Sequence, residues 1–132
     1  MSRKRLSVVV TRRLPAAVEH RMAELFDVTL RDSDAPMSRD ELIAAMQDVD
    51  VLVPTVSDRL DAAVFEQASE RLKLVANYGA GTDHIDVNAA HMSGIMVSNT
   101  PGVGAEDTAD MTLALMLSVT RRIPEGLSVM QT

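Results

Sequence analysis

Cysteine is absent from this sequence, and aromatic residues are scarce: it has no tryptophan, one tyrosine and two phenylalanines. The absence of cysteine excludes disulfide bonds, thiolate metal sites and cysteine nucleophiles, and it is consistent with a cytoplasmic location. Because aromatic residues are scarce, aliphatic side chains and the nine methionines must fill the core. A methionine-rich binding groove is the alternative use of those methionines.

The sequence also lacks a long apolar run. Leu6–Val10 is too short for the core of a signal peptide, and no run approaches the roughly 20 residues that span a bilayer. The net charge is −6, and the 13 basic residues are scattered along the 132 residues. This distribution argues against nucleic acid or a membrane as a partner and favours a single acidic domain.

Short apolar runs alternate with helical patterns along residues 1–101. Ser38 and Glu41 predict a capping box, Asp61 and Asp86 stand at helix N-termini, and Gly94 suits a helix end. The predicted strands are Leu6–Val10, Val28–Leu30, Val49–Val53, Leu72–Ala76 and Ile95–Ser98, and the predicted helices are Pro15–Glu24, Arg39–Gln47, Asp61–Ser69 and Val87–Ser93. The alternation predicts an α/β fold with a flavodoxin-like, open, parallel, five-stranded, doubly wound sheet.

Residues 102–132 follow a different pattern. Ala105 to Arg122 predicts a long helix whose middle, Leu113–Leu117, is apolar on every side, and Pro124 should end or kink it. A helix without a polar face must be buried all round, and a small sheet can cover only one side of it. We therefore expect a connecting helix whose other side meets a second domain or another copy of the chain, as in a homodimer.

Ligands of open parallel sheets bind beyond the carboxyl ends of the strands, so the loops after the fourth and fifth strands are the expected binding region. Gly79, Ala80 and Gly81 lie in the first of these loops. Their successive N–H groups can form a small nest for a carboxylate. The alternative is a glycine turn that only joins a strand to a helix.

Several other motifs are near misses. Gly79-x-Gly81 has His84 in place of a third glycine, and Gly102-x-Gly104 has Asp107, so neither is the dinucleotide fingerprint. A phosphate-binding P-loop is absent from the sequence. Thr11–Arg13 follows the first strand and supplies neither the acidic residues of a phosphoacceptor receiver nor the glycine-rich loop of a flavodoxin.

Two groups of polar residues give weaker signals. His84 lies near Asp83 and Asp86, but Asp86 is better used as a helix N-cap and no second histidine stands at ligand spacing, so no metal site is expected. Thr108 and Thr112 lie one helical turn apart. They either bond back to helix carbonyls or face a ligand.

Four segments resemble the D-isomer-specific 2-hydroxyacid dehydrogenases, and within that family the glyoxylate/hydroxypyruvate reductase branch: Asn77–Asp86, Ser98–Pro101, Thr108–Asp110 and Arg121–Arg122. The resemblance covers essentially the whole chain and is specific from Lys73 onward. It implies an oxidoreductase that acts on the CH–OH group of D-2-hydroxy acids and reduces 2-oxo acids of the glyoxylate or hydroxypyruvate type.

The resemblance also implies that substrate and cofactor bind to different lobes. Residues 1–101 would form the substrate-binding lobe, and residues 102–132 a hinge helix leading to an absent lobe that holds the main site for NAD or NADP. The N–H groups of Ala80 and Gly81 would hold the substrate carboxylate, with Gly79 and Tyr78 beside them. The Pro54-Thr55-Val56 loop would line the cleft.

For Thr108, the resemblance implies a position near the nicotinamide. The catalytic arginine, glutamate and histidine of the family would lie outside this chain, so no catalytic residue is assigned in it. The chain alone, as a truncated enzyme, is then expected to be inactive.

Two readings other than an enzyme stay open. Some relatives of this fold are NAD-sensing corepressors or scaffolds whose first lobe binds peptides, although no basic face or aromatic groove in the sequence favours that role. A domain that binds a small molecule without turnover is the third reading.

Overall fold

The structure, a computed structural model, describes residues 5–131. Its strands are β1 Ser7–Val10, β2 Asp27–Thr29, β3 Val51–Val53, β4 Leu74–Ala76 and β5 Met96–Ser98. Its helices are α1 Ala16–Leu25, α2 Arg39–Ala45, α3 Ala62–Phe65, α4 Val87–Met92, α5 Ala105–Thr120 and α6 Ile123–Met130. The boundary between two compact units falls between Pro101 and Gly102.

The strands form one parallel sheet in the order β2-β1-β3-β4-β5. In the centre of the sheet, Val9 of β1 pairs with Leu52 of β3, which pairs with Val75 of β4. The strand order is that of a flavodoxin-like, doubly wound fold, as the sequence predicts.

The sheet buries a separate apolar cluster on each face, because successive side chains of a strand point to opposite sides. Val9, Leu52 and Val75 belong to the larger cluster, which also contains residues of α2, α3 and α4. Val8 and Val10 belong to the smaller cluster, against which Met22 of α1 packs. This arrangement follows from right-handed crossovers, since the chain moves in one direction from β1 to β2 and in the other from β2 to β5.

The predicted helix ends are largely confirmed. Ser38 Oγ accepts from the Glu41 N–H at 3.3 Å, and Glu41 Oε2 accepts from the Ser38 N–H at 2.8 Å, which completes the capping box. The hydrogen bond from the Ser38 backbone lowers the pKa of Glu41 below its usual value. Asp61 and Asp86 cap α3 and α4. Gly94 has φ of 71°, which favours glycine.

Some element boundaries differ from the predictions. β3 begins at Val51 instead of Val49, although Val49 is buried. α3 ends at Phe65 instead of Ser69, and turns follow it. These differences concern the ends of elements, where the backbone leaves regular pairing while its side chains stay in the core.

In the second unit, α5 and α6 are in contact, although neither helix contains a buried residue. The predicted end or kink of the long helix at Pro124 corresponds to a break between α5 and α6, and Pro124 lies in the first turn of α6, where its missing N–H costs nothing. Arg122 separates the two helices in a left-handed conformation, with φ of 52°. No helix within residues 5–131 combines the length and the apolar character that crossing a bilayer requires.

The expected burial of α5 against a second domain or another copy of the chain stays a prediction. None of its side chains is buried, and Leu113 and Leu117 are 58% and 60% exposed. An apolar helix can be buried only where a partner surface exists, and the composition of the helix does not supply that surface. The exposed apolar side chains of α5 are therefore available for contact.

Candidate functional site

The loops that follow β3, β4 and β5 meet at the carboxyl edge of the sheet. The pairing of β3 with β4 continues as a parallel bridge between Thr55 and Tyr78. The loop after β5 joins them through the Thr100 N–H, which donates to the Gly79 carbonyl at 3.0 Å. Gly79–Gly81, the glycine loop, thus lies between two neighbouring loops at the edge where ligands of such folds bind.

Asparagine side chains hold every carbonyl oxygen of the glycine loop. Asn77 Nδ2 donates to the carbonyl of Gly79 at 3.1 Å and to that of Gly81 at 2.9 Å. Asn99 Nδ2 donates to the carbonyl of Ala80 at 2.7 Å. The acceptors of the loop are therefore all occupied by the protein.

The N–H groups of the glycine loop, unlike its carbonyls, have no hydrogen-bond partner among the described residues. Within residues 5–131, none of the three donates to a protein acceptor. Ala80 and Gly81 are exposed, so these donors are accessible. The loop presents free hydrogen-bond donors with its acceptors occupied, which suits an anionic ligand.

Glycine is required at position 79 because of close packing. Among the described glycines only Gly94 and Gly102 have positive φ, so the glycine loop is not the form of anion nest that alternates right- and left-handed residues. A Cβ atom at Gly79 would lie 2.8 Å from Val56 Cγ1 and 3.3 Å from Asn77 Nδ2. The loop after β3 and the glycine loop therefore touch at this point.

Three side chains border the free donors. Val56 is 63% exposed and Tyr78 is 46% exposed, so an apolar side chain and an aromatic ring flank the glycine loop. On the other side, a Cβ atom at Gly81 would lie 3.3 Å from Asp83 Oδ2. The two side chains offer apolar contact beside the donors, and the carboxylate of Asp83 restricts where a second negative charge could lie.

A buried carboxylate, Asp58, fixes the loop after β3. Asp58 is 1% exposed, and its Oδ2 accepts from Thr11 Oγ1 at 2.5 Å and from the Thr55 N–H at 2.8 Å. Thr55 Oγ1 donates to the same oxygen at 3.3 Å. Asp58 thereby joins the end of β1 to the turn that carries Val56.

His84 contacts the same site from the end of the β4 loop. Its Nε2 lies 3.0 Å from Asn77 Oδ1. His84 also lines a cavity of about 610 Å³ together with Val56 and Asp83, and none of residues 78–81 is among the described residues that line it. No three histidine or acidic side chains within residues 5–131 converge as metal ligands would.

Thr108 and Thr112 belong to the second unit. Thr108 Oγ1 donates to the Gly104 carbonyl at 2.7 Å, and Thr112 Oγ1 donates to the Thr108 carbonyl at 2.7 Å. Both hydroxyls thus bond back to the helix, which was one of the two alternatives. The predicted position of Thr108 near a nicotinamide stays a prediction.

Sequence reasoning assigned no role to Asn77, Asn99 or Asp58. Asn77 and Asn99 each directly follow a strand that leads into the site, and amides at that position are a usable signal for loop anchoring. For Asp58, the partner that joins it to another strand end, Thr11, is 47 residues away, so the sequence gives no local signal for that contact.

The residues present do not form a main site for a dinucleotide. Such a site needs a glycine-rich turn at a helix N-terminus, after the first strand of the fold that binds the cofactor. Here Leu14 and Pro15 follow β1, and Leu14 is buried in the smaller cluster. The glycine loop is occupied on its carbonyl side and offers only a short row of donors.

The fold and the site define a class of protein: an open parallel α/β domain with free backbone donors in a glycine loop at its strand ends. Residues 8–129 match the model of the D-isomer specific 2-hydroxyacid dehydrogenase family, catalytic domain. This chain therefore belongs to that family, as the resemblance of the sequence motifs indicated.

Individual relatives agree with this assignment. The chain is 41% identical over 119 residues to the glyoxylate reductase of Thermococcus onnurineus, covering 90% of this chain and 35% of that protein. The solved TT0316 protein of Thermus thermophilus is 39% identical, with a TM-score of 0.81, over 96% of this chain and 40% of that chain.

A second solved relative is the NADPH-dependent glyoxylate/hydroxypyruvate reductase of Sinorhizobium meliloti, in complex with NADP and malonate. It is 27% identical, with a TM-score of 0.76, over 97% of this chain and 38% of that chain. The chain thus spans between a third and a half of the length of these relatives.

Proposed function

We propose that this chain provides the substrate-binding lobe of a cytoplasmic oxidoreductase that reduces 2-oxo acids of the glyoxylate or hydroxypyruvate type to D-2-hydroxy acids. The N–H groups of Ala80 and Gly81 bind the substrate carboxylate, and Gly79 and Tyr78 lie beside it. The observation that carries this proposal is the glycine loop, whose three carbonyls are occupied while its N–H groups have no protein acceptor in the described chain.

The energetics of this loop favour an anion. Two charge-assisted hydrogen bonds from backbone N–H groups contribute about 1.5 to 3 kcal/mol each. Because the carbonyls are held by Asn77 and Asn99, the donors need little reorganisation when the ligand arrives. The malonate in the relative from Sinorhizobium meliloti is a small carboxylate of the kind that this loop suits.

The same proposal includes NAD or NADP as the cofactor. Solved structures with a similar fold include one in complex with NADP and one with NAD+ bound. Neither glycine pair of this chain forms the dinucleotide fingerprint. The enzyme therefore needs a further domain that binds the cofactor, with Thr108 near the nicotinamide, and the residues of this chain bind and orient the acid.

Gly81→Val tests the carboxylate site. In the enzyme that contains this chain, we expect the Michaelis constant for glyoxylate to rise about tenfold, the effect of losing one charge-assisted hydrogen bond. The Cβ atom would approach Asp83 Oδ2 at 3.3 Å and shift the Gly81 N–H. Steady-state kinetics measure the Michaelis constant for glyoxylate, and a separate titration measures the affinity for NADPH. An equal loss of glyoxylate and NADPH binding would show that the loop is structural only.

We also propose that the exposed apolar side chains of α5 bind a second apolar surface, in the simplest case another copy of the chain. Large apolar surfaces left exposed favour association, and Leu113 and Leu117 lie one turn apart with more than half of each side chain exposed. Leu113→Gln/Leu117→Gln is expected to reduce the self-association of the chain in analytical ultracentrifugation. A monomeric parent chain at high concentration would contradict this part of the proposal.

A further inference from the structure

Asn77 is placed to control the shape of the glycine loop. It follows β4 directly and is 3% exposed. Its Nδ2 donates to the carbonyls of both Gly79 and Gly81. Carbonyl oxygens only accept hydrogen bonds, so the nitrogen of the Asn77 amide must face the loop and its oxygen must face away.

His84 fixes that orientation. Its Nε2 lies 3.0 Å from Asn77 Oδ1. Because Oδ1 can only accept, Nε2 must carry the hydrogen, as it does in the Nε2–H tautomer of a neutral histidine. With His84 in place, a flip of the Asn77 amide would bring two donors together and two acceptors together.

We propose that His84 is a positioning residue for the carboxylate site. It fixes the amide of Asn77, and Asn77 in turn holds the two outer carbonyls of the glycine loop so that the N–H groups of Ala80 and Gly81 stay free for a ligand. This inference depends on the proposed function only for the identity of the ligand. His84 itself makes no contact with the free donors and acts through Asn77.

A matched pair of variants separates the hydrogen bond of His84 from its bulk. His84→Gln keeps an amide donor at a similar reach, and His84→Met has a similar length but no donor. His91→Met is the control, because His91 is exposed on α4. All variants are made in the 132-residue chain labelled with ¹⁵N.

The experiment has a readout without ligand and one with ligand. In the parent chain, the ¹⁵N shifts of the His84 ring should show a hydrogen on Nε2 and none on Nδ1 when the ring is neutral. In His84→Met, the backbone order parameters of the glycine loop should fall from about 0.85 towards 0.6. Oxalate, the carboxylate probe, should bind about tenfold more weakly, the effect of losing one neutral hydrogen bond.

His84→Gln should restore both the order parameters and the affinity, and His91→Met should change neither. In the background of Asn77→Leu, the change His84→Met should have no further effect, because the interaction it removes is already lost. Unchanged order parameters and oxalate affinity in His84→Met would overturn the inference. So would equal losses in His84→Gln and His84→Met.

The outcome also distinguishes the inference from the function on which it is based. If oxalate fails to shift the Ala80 and Gly81 resonances of the parent chain, the carboxylate site is wrong. If the loop nevertheless loses order in His84→Met alone, the positioning role of His84 is supported. If His84→Met does not fold, full order and affinity in Asn77→Leu would overturn the role, and their loss there would support it.

Discussion

Asp58→Ala is expected to lower the free energy of unfolding by about 3 kcal/mol, because it removes a buried acceptor from at least two donors. The carboxylate is 1% exposed, and Oδ2 accepts from Thr11 Oγ1 and from the N–H and hydroxyl of Thr55. Thr11 Oγ1 can still donate to the Val53 carbonyl, which lies at 3.3 Å. The Thr55 N–H is left without an acceptor, and a cavity forms beside it.

Urea denaturation followed by circular dichroism measures this loss. Asp58→Asn is the conservative variant: its side-chain oxygen can still accept from Thr55, so we expect a smaller loss. Asp34→Ala is the control for removing an aspartate, since Asp34 makes a surface ion pair with Arg12 at 3.0 Å and is 74% exposed. Such pairs contribute about 0 to 1 kcal/mol. If Asp58→Ala costs no more than Asp34→Ala, the buried network has no structural role.

The order of the elements could be predicted from the sequence because each element carries a local signal. The capping residues Ser38, Asp61 and Asp86 lie within three residues of the N–H groups that they accept from. The alternation of apolar strands with helices then leaves few topologies, because crossovers are right-handed. The observed sheet order follows from that rule and from the direction of each step.

The candidate site could be predicted only in part. The glycines and the expected ligand edge follow from local pattern and topology. The contacts that give the loop its character do not, because they join residues from different loops: Asn99 bonds to Ala80, 19 residues away, and Thr11 bonds to Asp58. The sequence predicts that this domain leaves one side of α5 uncovered, but not what covers that side, since the partner surface lies outside the helix.

Gly79→Ala is expected to weaken oxalate binding by the chain about thirtyfold, which corresponds to about 2 kcal/mol. A Cβ atom at this position would lie 2.8 Å from Val56 Cγ1, a distance that requires movement, and 3.3 Å from Asn77 Nδ2. Asn77 is buried and bonded to His84, so it cannot move away without releasing the Gly79 and Gly81 carbonyls. The Thr100 N–H still holds the Gly79 carbonyl, but the released Gly81 carbonyl is free to turn towards the ligand, where it repels a carboxylate.

If close packing causes the loss, a second substitution should partly restore the affinity. Val56→Ala removes the atom that the new methyl group would meet at 2.8 Å, so Gly79→Ala/Val56→Ala should recover part of the lost affinity. The 3.3 Å contact with Asn77 Nδ2 would remain. Gly126→Ala is the control, because no atom lies within 4 Å of a Cβ at that position. Isothermal titration with oxalate measures all four proteins. Unchanged affinity in Gly79→Ala would mean that the loop tolerates a side chain. If Val56→Ala does not relieve the loss, the obstruction lies at Asn77. The hydrogen bonds of the Asn77 side chain, more than contact between the loops, would then set the conformation of the carboxylate site.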